Sequence, residues 1–141
     1  MNNLNLSAWC FRLAVLYLIA GVCLGIFMAA SNDHTMFPVH AHLNLLGWVT
    51  LSLFGLFYRN WPAAAKSRLA KVHFGIYVPA HIVQMVLLAA LFLGHPGVEP
   101  ALAVASVLVG VAIVCFAVLV WRYTAEPVIE RSAAVRPRAA A

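Results

Sequence analysis

Two histidines, His40 and His42, stand two residues apart in the apolar stretch PVHAHLNLLGWVT, residues 38–50. An imidazole can carry a proton near neutral pH or bind a transition metal through an unprotonated ring nitrogen. Ionisable groups are costly in hydrocarbon, so one inside an apolar run is a candidate functional group. The sequence holds six histidines in all. His34 and His95 fall in polar connections, and His73 falls at one end of an apolar run. These three read as solvated or interfacial side chains. His81 lies deep in its run, two residues after Pro79 and three before Gln84. It reads either as a functional group or as a neutral histidine bonded to a neighbouring helix.

Spacing narrows the chemistry. Residues two apart on an α-helix are separated by about 200°, so His40 and His42 point to opposite flanks and cannot meet on one ion. Zinc on a helix favours histidines at i and i+4, on one face. A bare zinc or copper site built on this pair is therefore disfavoured. At 1.5 Å per residue, His42 lies about 6 Å into its span and His81 about 13 Å from the other face. That leaves roughly 10 Å between their depths in a core about 30 Å thick, and the two are not expected to share an ion. Haem does accept one imidazole from each of two helices, on opposite faces of its ring. Asn44 lies four residues and Gly47 seven residues after His40, on the same face. Asn44 can orient a ligand by hydrogen bonding, and Gly47 and Gly55 leave room for a macrocycle. The alternative is that Asn44 and the glycines serve close helix packing.

These residues need helices in a membrane to position them. Of 141 residues, 65% are hydrophobic and 9% charged, and the mean hydropathy is +0.94. So little polar surface excludes a soluble domain. Apolar runs cover about 11–30, 39–58, 70–93 and 101–121, each long enough to cross about 30 Å of hydrocarbon. The connections SNDHTMFP, RNWPAAAKSR and GHPGVEP carry proline, glycine or charge, as loops do. Pro38 suits the first turn of the second helix. The pI of about 9.6 does not imply nucleic acid, because the basic residues cluster at helix ends. Arg12, Arg59, Lys66, Arg68, Lys71, Arg122, Arg131, Arg136 and Arg138 all fall on one side, whereas the opposite loops hold Asp33 and Glu99. The positive-inside rule then predicts a multi-pass protein of a bacterial-type inner membrane with both termini cytoplasmic.

Residues 1–124 read as one four-helix transmembrane domain and 125–141 as a disordered cytoplasmic tail. MAAS at 28–31 resembles a cleavage site, but the first apolar run exceeds the roughly 7–15 residues of a signal h-region. It is taken as a retained span. Cys10, Cys23 and Cys115 form no CxxC or CxxCH pattern. They are expected to be buried thiols, with neither a disulfide framework nor covalent haem.

HAHLNLLGW at 40–48, then YR at 58–59 and RLAKVHFGIY at 68–77, resemble subunit I of the haem-copper oxidase superfamily, on the side of the cbb3 oxidases and nitric oxide reductases. The chain looks like a small four-helix relative of that subunit. In the large subunit a His-x-Asn on the second helix ligates the low-spin haem, and His42-Leu43-Asn44 matches it. A His-x-His on the tenth helix serves two haems, and His40-Ala41-His42 matches that one. The large subunit has twelve helices in pseudo-threefold order. The resemblance thus implies an all-α protein forming one third of such an assembly, completed as a homotrimer. Catalytic members also hold copper near a haem with further histidines and a tyrosine. Tyr77 and His81 are the deep candidates for a second site of that kind, and copper is the less favoured ion.

The reading that follows is a membrane haem b protein, with non-covalent haem ligated by His40 and His42 of different subunits. Its expected role is electron transfer, or binding of a diatomic gas, with a separate redox partner. The alternatives are an oxygen- or nitric oxide-reducing enzyme with a haem–metal site, and a metal-binding or structural membrane protein without haem.

Overall fold

The computed structural model describes residues 5–125, and these hold helices and no strand. Among the described residues four helices are long and apolar enough to cross a membrane: a first span at Leu6–Ser31, a second at Phe37–Asn60, a third at Arg68–Phe92 and a fourth at Pro96–Thr124. The expected tail lies almost wholly outside the described residues. Ile26, Val86 and Val114, on three different spans, each remain 64% exposed. Apolar surface on that scale needs lipid or another subunit against it rather than water, and the chain is a multi-pass membrane protein.

The helix ends follow local chemistry. The first span starts five residues before the expected boundary because the Asn5 side chain accepts a hydrogen bond from the Ala8 N–H at 3.1 Å. That bond satisfies one of the donors a helix start leaves open. The span ends at Asn32, whose φ of 53° is left-handed, a conformation asparagine adopts more readily than most residues. In the following turn Asp33 accepts from the Thr35 hydroxyl at 2.6 Å and from the Thr35 N–H at 2.9 Å. These two bonds, the hydroxyl first, hold its carboxyl below the usual range. The connection after the second span contains a short helix, Pro62–Lys66, begun by proline and too brief to show as an apolar period. Ser67 then caps the third span by accepting from the Ala70 N–H at 3.1 Å.

The second span is not uniform. It is α-helical over Phe37–His42, π-helical over Leu43–Val49 and α-helical again over Thr50–Asn60. A π turn bonds each N–H five residues back and often marks a functional site. Side chains take up two of its carbonyls. The Thr50 hydroxyl donates to Leu45 O at 2.7 Å, and the Tyr77 hydroxyl donates to Leu46 O at 2.8 Å.

The first span packs along the second and the third along the fourth. Between the pairs, Phe54 presents its ring to His73, Tyr77 and Phe116, with centroids 4.5, 5.0 and 4.3 Å away. Against the first span the second presents glycines. A Cβ placed on Gly47 would lie 2.5 Å from the Tyr17 ring, and one on Gly110 would meet nothing within 4 Å. Tyr17 cannot swing clear, because its other neighbour is His81, at 4.9 Å between ring centroids. Gly47→Ala should therefore destabilise the protein by about 1–3 kcal/mol, the usual range for overpacking. Gly110→Ala should stay within about 0.5 kcal/mol of wild type. Thermal unfolding of both variants in one detergent checks the contrast.

Candidate functional site

His40 and His42 occupy the last turn of the short α-helix that precedes the π segment. His40 turns toward the first span, where its Nδ1 lies 2.9 Å from Gly21 O. His42 turns back along its own helix, where its Nδ1 lies 2.7 Å from Pro38 O. The two rings thus leave the helix in different directions and do not converge, as their spacing predicts. Among the described residues no group of three or more histidine, cysteine or acidic side chains is placed to hold a metal ion.

The two Nδ1 contacts determine more than orientation. A carbonyl oxygen can only accept, so each Nδ1 must carry the proton and donate it. Each neutral ring then keeps its lone pair on Nε2. Among the described residues neither Nε2 has a partner, and neither is sealed inside the bundle. Iron-binding histidines are prepared in this way, with the second ring nitrogen donating to a fixed acceptor that sets tautomer and ring angle. Each imidazole is thus oriented as a metal-binding histidine would be, with its Nε2 accessible from outside the described bundle.

Asn44 and Gly47 share the face of His40, toward the first span. The Asn44 side chain donates to His40 O at 2.9 Å, so it braces the backbone of the ligand turn rather than the ring. The room beside Gly47 is filled by Tyr17. Gly21 and Gly25 of the first span complete this contact. A Cβ on Gly21 would come within 2.6 Å of the Asn44 amide, and one on Gly25 within 2.9 Å of His40 Cε1. Sequence reasoning missed both glycines, although GVCLG at 21–25 is a GxxxG spacing, which lets helices approach closely.

His81 and Tyr77 do come together. Their rings stack 5.8 Å apart at 12°, and both are buried. The Tyr77 hydroxyl, however, is committed to Leu46 O, and both ring nitrogens of His81 are buried without a hydrogen-bond partner among the described residues. His73 corrects an expectation. It is fully buried rather than solvated, because Tyr58 reaches across from the second span and bonds its Nδ1 at 2.7 Å. His34 and His95 are exposed as expected. Of the cysteines only Cys10 is buried, while Cys23 is exposed and Cys115 partly so.

Tyr58→Phe should cost about 1–3 kcal/mol, because it strands the second nitrogen of a buried ring. Adding His73→Phe to that variant should recover part of the loss, since a pair of apolar rings leaves nothing unsatisfied. The double-mutant cycle is read by thermal unfolding. Comparison of the chain with protein-family models, with curated proteins and with solved structures gives no match in any of the three.

Proposed function

We propose that the protein is a membrane haem b protein in which each iron takes His40 from one subunit and His42 from the next, within a homotrimer. The observation that carries this reading is the pair of Nδ1–H donors held by Gly21 O and Pro38 O at 2.9 and 2.7 Å. Both histidines are thereby left with Nε2 as the ligating atom. The resemblance to one four-helix third of haem-copper oxidase subunit I supports the same arrangement. Haem would supply a one-electron couple at this site. The chain's own residues fix the imidazoles: Asn44 braces the turn, and Gly21 and Gly25 let His40 seat against the first span. Two histidines leave an iron no open position, which favours electron transfer with a separate redox partner over gas chemistry.

A second reading, a haem–metal site that reduces oxygen or nitric oxide, draws on His81 and its two unpartnered buried nitrogens beside Tyr77. The optical spectrum of the purified protein decides between these readings. Bis-histidine haem gives a sharp Soret band and split α and β bands on reduction. A high-spin haem favours the second reading, and a colourless protein removes both.

The membrane orientation belongs to the same proposal. Arg59, Lys66, Arg68 and Lys71 stand at one end of the bundle and Asp33 and Glu99 at the other. The positive-inside rule supports a bacterial-type inner membrane with both termini in the cytoplasm and the histidine pair near the outer face. A reporter at the C-terminus should read cytoplasmic, and a tag inserted at 32–35 should be labelled from outside. A C-terminus labelled from outside reverses the orientation.

A further inference from the structure

At the basic end of the bundle, the first span, the end of the second, the short helix after it and the start of the third border a half-open cavity of about 620 Å³. Its wall combines two chemistries. Arg59, Lys66 and Lys71 supply three cations, and Leu6, Phe11 and Ala65 supply an apolar floor. The two side-chain carboxylates among the described residues stand at the opposite end, Asp33 in the turn after the first span and Glu99 near the start of the fourth. Nothing described within the chain therefore neutralises these cations. Three like charges around one cavity repel one another, and an anion between them relieves that repulsion.

We infer that this cavity binds an anionic phospholipid, one per subunit, with its phosphate held by Arg59, Lys66 and Lys71 and the start of its acyl chain on Leu6, Phe11 and Ala65. A free phosphate would satisfy the cations alone and leave the apolar floor in water. The lipid matches both halves of the wall. Basic pockets between transmembrane helices take anionic headgroups on the same physical grounds. The inference is independent of haem, since none of these residues takes part in the histidine site.

The test uses the full-length protein in a neutral detergent, titrated separately with phosphatidylglycerol, phosphatidylcholine and sodium phosphate, with adducts counted by native mass spectrometry. The expected result is saturation at one phosphatidylglycerol per subunit, bound at least tenfold more tightly than phosphatidylcholine and not displaced by millimolar phosphate. Each basic residue contributes about 1 kcal/mol toward an anionic lipid, so Arg59→Gln/Lys66→Gln/Lys71→Gln should weaken binding roughly a hundredfold. A control that removes three cations from outside the cavity, Arg12→Gln/Arg68→Gln/Arg122→Gln, should change it less than threefold. Ala65→Phe keeps every charge, fills the floor and should also abolish saturable binding. Equal losses in the two triple variants would reduce the effect to diffuse surface charge and overturn the site. Equal binding of the two lipids, displacement by phosphate, or an Ala65→Phe variant that binds as wild type each overturns the lipid assignment.

Discussion

His40→Ala and His42→Ala are each expected to eliminate the low-spin spectrum of every haem in the assembly, not of half of them. The reason is the proposed sharing of each site between subunits. If each iron takes one His40 and one His42, either substitution strips one axial imidazole from all of them. Had each histidine served a haem of its own, each substitution would spare about half the absorbance. The remaining imidazole is still oriented by its carbonyl acceptor, at 2.9 Å for His40 and 2.7 Å for His42. The product should thus be five-coordinate high-spin haem, or a chain that loses haem on purification. His81→Ala should leave the low-spin bands in place, since no ligand role is assigned to it. Reduced-minus-oxidised spectra of the three variants decide the matter. Loss of the bands in His81→Ala together with their survival in His42→Ala would falsify the assignment.

Mixing the two dead variants should restore haem. When His40→Ala and His42→Ala chains are co-expressed in equal amounts, a boundary is complete wherever an intact His40 faces an intact His42. Random assembly makes about one boundary in four complete, so roughly a quarter of the wild-type low-spin absorbance should return. That fraction does not depend on how many subunits close the ring. Recovery therefore tests sharing, and native mass spectrometry of the wild type tests number, with three chains expected. A twofold dimer makes an isologous contact that can pair one flank with itself and strand the other, whereas a ring presents the His40 flank of each subunit to the His42 flank of the next. No recovery on mixing would place both ligands of a haem in one subunit. A dimer with full recovery would keep the sharing and remove the threefold plan.

The four spans were legible because each is a long apolar run broken by proline, glycine or charge, and the divergence of His40 and His42 was legible because helical phase follows from spacing alone. What escaped notice depends on partners far along the chain. Nothing near His73 announces that Tyr58, fifteen residues away, will bury and bond it. The π turn at Leu43–Val49 is likewise met by a hydroxyl from the third span, at Tyr77. The contact of Gly21 and Gly25 with Asn44 and His40 was half legible. The GxxxG spacing is local, but which helix it receives is settled only by packing. The Asn5 cap and the Pro62–Lys66 helix were hidden by length, since one turn of helix leaves no measurable period.

Counted along the chain, the π turn in the second span amounts to an inserted residue. Its bonds close over five positions where an α-helix closes over four, so the span holds about one residue more than a regular helix between the same fixed points. On one side of that insertion stand His40 and His42, and on the other the buried aromatics Phe54, Phe57 and Tyr58. Taking out one residue from the turn, such as the outward-facing Leu45, would let the span close as α-helix throughout. The two halves would then rotate against each other by about 100°, one residue's share of a turn. His40 would leave Gly25, or Phe54 would leave His73, and no side-chain substitution could restore both. The length of this stretch is therefore as constrained as Asn44 and Gly47 within it: the angle between the histidine turn and the aromatic core is encoded by how many residues lie between them.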